Sequence, residues 1–110
     1  MALNSKQKGK VGEREVAEIF RSHGIDARRA VQFCGSTGEA ADIIADVPFH
    51  IEIKRVERLN LGDAYRQAQR DSQGKKPPVV VHRASRQPWL ITMSLVDFLN
   101  ILSPSKGEAS

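Results

Sequence analysis

Two carboxylates and a lysine stand inside runs that are otherwise apolar. Asp42 is followed after nine residues by Glu52, and Lys54 lies two positions further on. The stretch between the carboxylates, Ile43-Ile44-Ala45-Asp46-Val47-Pro48-Phe49-His50-Ile51, reads as two apolar runs about a turn. Burying charge is costly unless it is paired or bound to a metal, so charges planted here point to use. Carboxylates converging on one point make a hard oxygen site of the kind Mg²⁺ and Mn²⁺ prefer. A dication there lowers the pKa of a water and stabilises charge on a phosphate. A lysine beside it could orient the attacking water or offset charge in the transition state. Such a set suits hydrolysis of a phosphodiester.

Strand alternation supplies the convergence. Residues 40–45 and 49–54 are predicted strands, and Asp46-Val47-Pro48 is a three-residue connection between them. The predicted hairpin sets Ala45 against Phe49, Ile43 against Ile51 and Ala41 against Ile53, all apolar pairs on one face. On the other face Asp42 meets Glu52, Ile44 meets His50, and Lys54 follows by the period of two. A predicted helix from about Lys10 to His23, stopped by Gly24, adds another carboxylate. At about 100° per residue, Glu13 falls on the same side as Val16, Ala17 and Phe20. Glu15 and Glu18 fall roughly opposite and are expected in solvent. Alone, Glu13 in a first turn would complement the helix dipole; beside Asp42 and Glu52 it becomes a third candidate ligand.

The remaining elements complete a mixed architecture. Residues 1–9 read as a flexible basic arm, and the stretch from Arg28 begins strand-like before loosening into a Gly/Ser/Thr loop over residues 34–39. Asn60 is a predicted N-cap for a helix to about Ser72 or Gln73. Residues 79–82 and 89–93 are predicted strands, Ser94 caps a last helix to about Leu102, and residues 103–110 form a polar, disordered tail. The order is αβββαββα, and a mixed sheet flanked by helices is its natural packing, here as one α/β domain over residues 10–102. On the middle helix Gln67 and Gln69 are read as exposed. His50 is read as a packed residue over Ile44 in preference to a group supporting the metal, because carboxylates already supply the ligands magnesium prefers. Trp89 is read as a core or dimer contact.

The totals set bounds. The chain has 110 residues, 40% hydrophobic and 27% charged, with net charge +4, and a pI of about 9.6. A mildly basic balance permits a polyanionic partner. Cys34 is the single cysteine, so an internal disulfide and a cysteine-rich zinc site are excluded and a reducing cytoplasm is expected. No secretory signal or membrane-spanning apolar run is present.

Asp-x₉-Glu-x-Lys resembles the PD-(D/E)xK nuclease pattern, with Ala41 where proline is usual. Lys8-Gly9-Lys10-Val11-Gly12-Glu13-Arg14-Glu15 resembles the opening of archaeal-type Holliday junction resolvases, a family also found in phages. Gly24-Ile25-Asp26-Ala27-Arg28-Arg29 resembles their next segment. The Gly/Ser loop, Asp42-Ile43-Ile44 and Ile51-Glu52-Ile53-Lys54 then follow in the family's order, so the resemblance spans residues 8–93. It implies a restriction-endonuclease-like fold and a structure-selective endonuclease that nicks four-way junctions in pairs. Glu13, Asp42 and Glu52 would be its Mg²⁺ ligands, with Mn²⁺ able to substitute, and Lys54 the catalytic lysine. Ser36 would stand in for the family's loop serine. Branched DNA would be met by Lys6, Lys8, Lys10, Arg28, Arg29, Arg55 and Arg58, with Lys75, Lys76, Arg83 and Arg86 clustered near later turns. Paired nicks imply a C2 homodimer. The rivals are a restriction-like, repair or nicking nuclease of the same fold, and a DNA-binding module without catalysis.

Overall fold

A computed structural model describes residues 5–29 and 43–103. Its element order is that read from the sequence. Helix α1, Ser5–Ser22, starts earlier than the expected Lys10 and takes Lys6 and Lys8 into its first turns. It stops where the pattern said it would. Gly24 adopts φ 82°, which lets Gly24 N–H bond Arg21 C=O and Ile25 N–H bond Phe20 C=O, each at 3.0 Å. That pair of bonds is the Schellman arrangement, and it satisfies carbonyls the helix end would otherwise leave bare.

Strand β1, Ala27–Arg29, pairs antiparallel with β2, Ile43–Ala45, in the register Ala27–Ala45. Strand β3, His50–Arg55, runs parallel to β4, Pro78–Arg83, with Glu52 beside Val80 and Lys54 beside His82. Strand β5, Leu90–Thr92, closes the sheet antiparallel to β4. Parallel neighbours need a long crossover, and α2, Leu61–Ser72, supplies it. Asn60 Oδ1 caps α2 by accepting from Asp63 N–H at 3.0 Å, and the left-handed Gln73 ends it.

The predicted hairpin is corrected by this topology. Among the described residues β2 is hydrogen-bonded to β1, and β3 to β4. Alternation assigns residues to faces but does not choose the neighbouring strand. Val47 N–H turns back on Ala45 C=O at 2.8 Å, and Asp46 N–H reaches Asp26 C=O at 2.9 Å, extending the β1–β2 pair instead. The apolar face survives the change of partner: Ile43 and Ile51 share one core with Ile53, Val79, Val81, Val16 and Ala17, under α1. On the opposite face Val80 packs with Ala64 and Ala68 of α2. Gly12 sets how closely α1 approaches β3, since a Cβ there would lie 3.2 Å from Trp89 Cη2 and 3.3 Å from Arg55 Cβ.

Helix α3, Leu95–Leu102, begins at Ser94, whose Oγ accepts from Asp97 N–H at 3.1 Å. None of its residues is buried. Leu95, Val96, Phe98, Leu99 and Leu102, with Leu90 and Ile91 of β5, leave a broad apolar surface exposed.

Candidate metal and catalytic centre

Because Ile51 and Ile53 face α1, the alternating side chains His50, Glu52 and Lys54 face α2. Helix α2 meets them with small residues and one amide. Gln67 Nε2 donates to Glu52 Oε2 at 3.1 Å, and Lys54 Nζ donates to Gln67 Oε1 at 3.0 Å. The amide thus joins the carboxylate and the ammonium of the Glu-x-Lys motif and fixes both. Glu52 is 3% exposed and His50 7%. Among the described residues the Oε1 of Glu52 has no hydrogen-bond partner, nor has His50 Nε2, which lies 3.4 Å from it. Asp71, one turn beyond Gln67, completes a group: one ligand atom each from His50, Glu52 and Asp71 lies within 4.8 Å of the others. A buried carboxylate oxygen left free is expensive, and its lone pairs suit a hard dication.

The other expected residues fall as follows. Glu13 is half-buried and held by Arg29, whose Nε donates to its Oε1 at 3.0 Å. Asp42 and Ser36 lie outside the described residues, as do Ala41 and Cys34. Lys10, Arg28 and Arg58 are exposed. Arg55 is half-buried, with an Nε that finds no hydrogen-bond partner among the described residues.

Two side chains, Gln67 and Glu15, depart from their expected environments, and His50 keeps its place but gains a neighbour. Gln67, read as an exposed helix glutamine, is the link described above; Gln69 is exposed as expected. His50 is packed, as read, but its free nitrogen is aimed at Glu52 rather than spent on the core. Glu15, expected in solvent, accepts from Arg83 Nη1 at 3.2 Å and from Trp89 Nε1 at 3.1 Å. The Arg83 guanidinium also sits 5.7 Å from the Trp89 ring centroid. Arg83 and Trp89 come from distant chain and cover the side of α1 that the helix wheel leaves open.

The fold has a solved counterpart. The structure is similar to that of "Archaeoglobus fulgidus Hjc, a Holliday junction resolvase from an archaeal hyperthermophile", with a TM-score of 0.60 and 22% identity. The match covers 76% of this chain and 75% of that one. At that identity the likeness establishes the restriction-endonuclease-like fold. No curated protein matches the sequence. Over residues 4–108, however, the sequence matches the family described as "Phage putative PDDEXK endonuclease". With that match, and with Glu52 and Lys54 set side by side on β3 as the motif requires, the chain belongs to this family of PD-(D/E)xK nucleases.

Proposed function

We propose that this nuclease is a metal-dependent, structure-selective DNA endonuclease of the Holliday junction resolvase type, making paired nicks in four-way junctions. The observation that carries the chemistry is the free, buried Oε1 of Glu52 beside a Lys54 held in place by Gln67. The likeness of fold to an archaeal resolvase supports the choice of substrate.

In this account Glu52, Asp42 and Glu13 hold Mg²⁺, with Mn²⁺ able to replace it. When bound, such an ion lowers the pKa of a water and offsets phosphate charge. Lys54 aims a cation at the scissile phosphate, where an oriented donor is worth most as charge develops. Gln67 keeps the lysine and the carboxylate in register. Arg29 orients the Glu13 carboxylate. Ser36, ahead of Asp42 in the sequence, contributes as the family's serine would. The nuclease domain runs from α1, which begins at Ser5, to α3, which ends at Leu102. Lys6, Lys8, Lys10, Arg28, Arg55 and Arg58 contact phosphates, with Arg29 shared between DNA and Glu13. Contacts of this kind give affinity without reading sequence, so recognition is by branch shape.

Two nicks need two centres, and a C2 homodimer brings them. The unburied apolar surface of α3 and β5 supports a second copy docking there. No helix among the described residues is long and apolar enough to cross a membrane, and the single cysteine fits a reducing cytoplasm, bacterial or archaeal or that of a phage-infected cell.

The test is cleavage of labelled four-way junction, flap, duplex and single-stranded DNA, with and without Mg²⁺. Selective Mg²⁺-dependent cutting of the junction is expected. Preferential cutting of flap or plain duplex would favour a repair or nicking nuclease, and junction binding without cutting would favour a non-catalytic module.

A further inference from the structure

We propose that His50, Glu52 and Asp71 form a binding site for a borderline transition-metal dication of the Zn²⁺ or Co²⁺ class, on the α2 side of β3. The site shares Glu52 Oε1 with the proposed magnesium centre, so the two ions would compete for that atom; its geometry stands whether or not the chain cleaves DNA.

Two buried atoms require an explanation. The side chains of His50 and Glu52 are 8% and 4% exposed, yet His50 Nε2 and Glu52 Oε1 face each other at 3.4 Å with no hydrogen bond between them and no other partner among the described residues. That spacing is wide for a hydrogen bond and right for two ligands of one ion. Bonds of about 2.0–2.1 Å at tetrahedral angles place neighbouring ligand atoms roughly 3.3–3.4 Å apart. Asp71 brings a third ligand atom within 4.8 Å of both. A small turn of its half-buried side chain would close the set, leaving a fourth position for water.

The donor set selects the ion. Magnesium prefers oxygen and keeps most of its waters, whereas an imidazole nitrogen beside two carboxylates suits zinc and its neighbours. Access comes from a hollow of about 220 Å³ lined by His50, Asp71, Ile44 and Phe49. Lys75 and Lys76 also line it and oppose a cation; the two carboxylate charges offset them. Gln67 engages the other oxygen of Glu52, which leaves Oε1 to the metal.

The experiment is titration of the chelator-stripped full chain with Co²⁺, followed by its visible absorption, with Zn²⁺ as competitor. One equivalent should bind to wild type and be displaced by Zn²⁺. His50→Ala and Asp71→Asn should each weaken Co²⁺ by at least the roughly 10–100-fold that loss of a mere outer partner costs. Asp42→Asn should bind Co²⁺ as wild type does, which separates this site from the proposed magnesium centre. Thermal melts in chelator keep the test open if His50→Ala folds poorly: Asp71→Asn should keep the metal-free melting temperature and lose the Zn²⁺-induced rise. Absence of Co²⁺ binding would overturn the proposal. So would unchanged affinity in both His50→Ala and Asp71→Asn, or loss confined to Asp42→Asn.

Discussion

Replacing Gln67 by Ala should damage stability and catalysis together, because this one amide serves both charges of the motif. Its Nε2 donates at 3.1 Å to Glu52, which is almost wholly buried, and its Oε1 accepts at 3.0 Å from Lys54, which is half-buried. Hydrogen bonds to charged groups contribute about 1.5–3 kcal/mol. The Glu52 bond counts in full, because its carboxylate is almost wholly buried. The Lys54 bond counts for little, because its ammonium can turn to solvent. The expected loss is therefore about 1.5–3 kcal/mol. At roughly 4–8 °C per kcal/mol for a domain near this size, the melting temperature should fall by about 6–24 °C. The catalytic cost is separate. Freed from Gln67, Lys54 no longer has a fixed approach to the phosphate, and displacement of a reacting group by about 1 Å can cost on the order of 10²-fold in rate. Single-turnover cleavage of a four-way junction, at a temperature where the variant is folded, should show that loss with junction affinity little changed. Wild-type melting and wild-type cleavage in Gln67→Ala would refute the assigned link.

Asp42→Asn and Glu52→Gln should abolish Mg²⁺-dependent cleavage while gel-shift assays still show junction binding, and Glu13→Gln should be severely impaired; full activity in any of the three removes that residue from the ion's ligand set. Burial lowers the pKa of His82 below its ordinary 6.5, so as pH falls through that value the unfolded chain takes up the proton first. The His82 contribution to stability is then complete above about pH 6.5 and declines towards the lower folded pKa. Melting curves across that window should slope, and His82→Gln should flatten the slope; an unchanged slope would mean another group titrates. Leu95→Glu with Leu99→Glu, one turn apart on α3, should convert a dimer to a monomer in sedimentation; an unaffected dimer would place the interface elsewhere.

Local signals made the element order legible. Gly24 stops α1, Asn60 starts α2 and Ser94 starts α3, each by a cap whose chemistry is written in one or two residues. Strand pairing was not legible. The alternation that put Ile43 and Ile51 in one core says nothing about which backbone each strand hydrogen-bonds, and the parallel β3–β4 ladder is closed by a helix rather than a tight turn. The polar side of α2 could have been read and was not. Ala64, Gln67, Ala68, Asp71 and Ser72 follow the i, i+3, i+4, i+7, i+8 spacing of a buried stripe. Three of its members are so small that the stripe looks feebly apolar, which hid Gln67 and Asp71 within it. Glu15 gave no local sign, since its partner Arg83 is 68 positions away. The Glu52–Lys54 half of the motif now has a geometry, while Asp42 and Ser36 lie outside the described residues.

The most direct measurement is cleavage of a supercoiled plasmid that extrudes a cruciform, comparing wild type with Glu52→Gln in Mg²⁺. Two nicks placed symmetrically across the junction within one binding event turn the plasmid linear, whereas a lone nick leaves an open circle. Wild type should yield linear product from the start of the reaction, with no lag behind the open circle, and Glu52→Gln should yield neither. Open circle alone, or equal cutting of a plasmid without the cruciform, would contradict junction resolution by paired centres; linear product from Glu52→Gln would contradict the site itself.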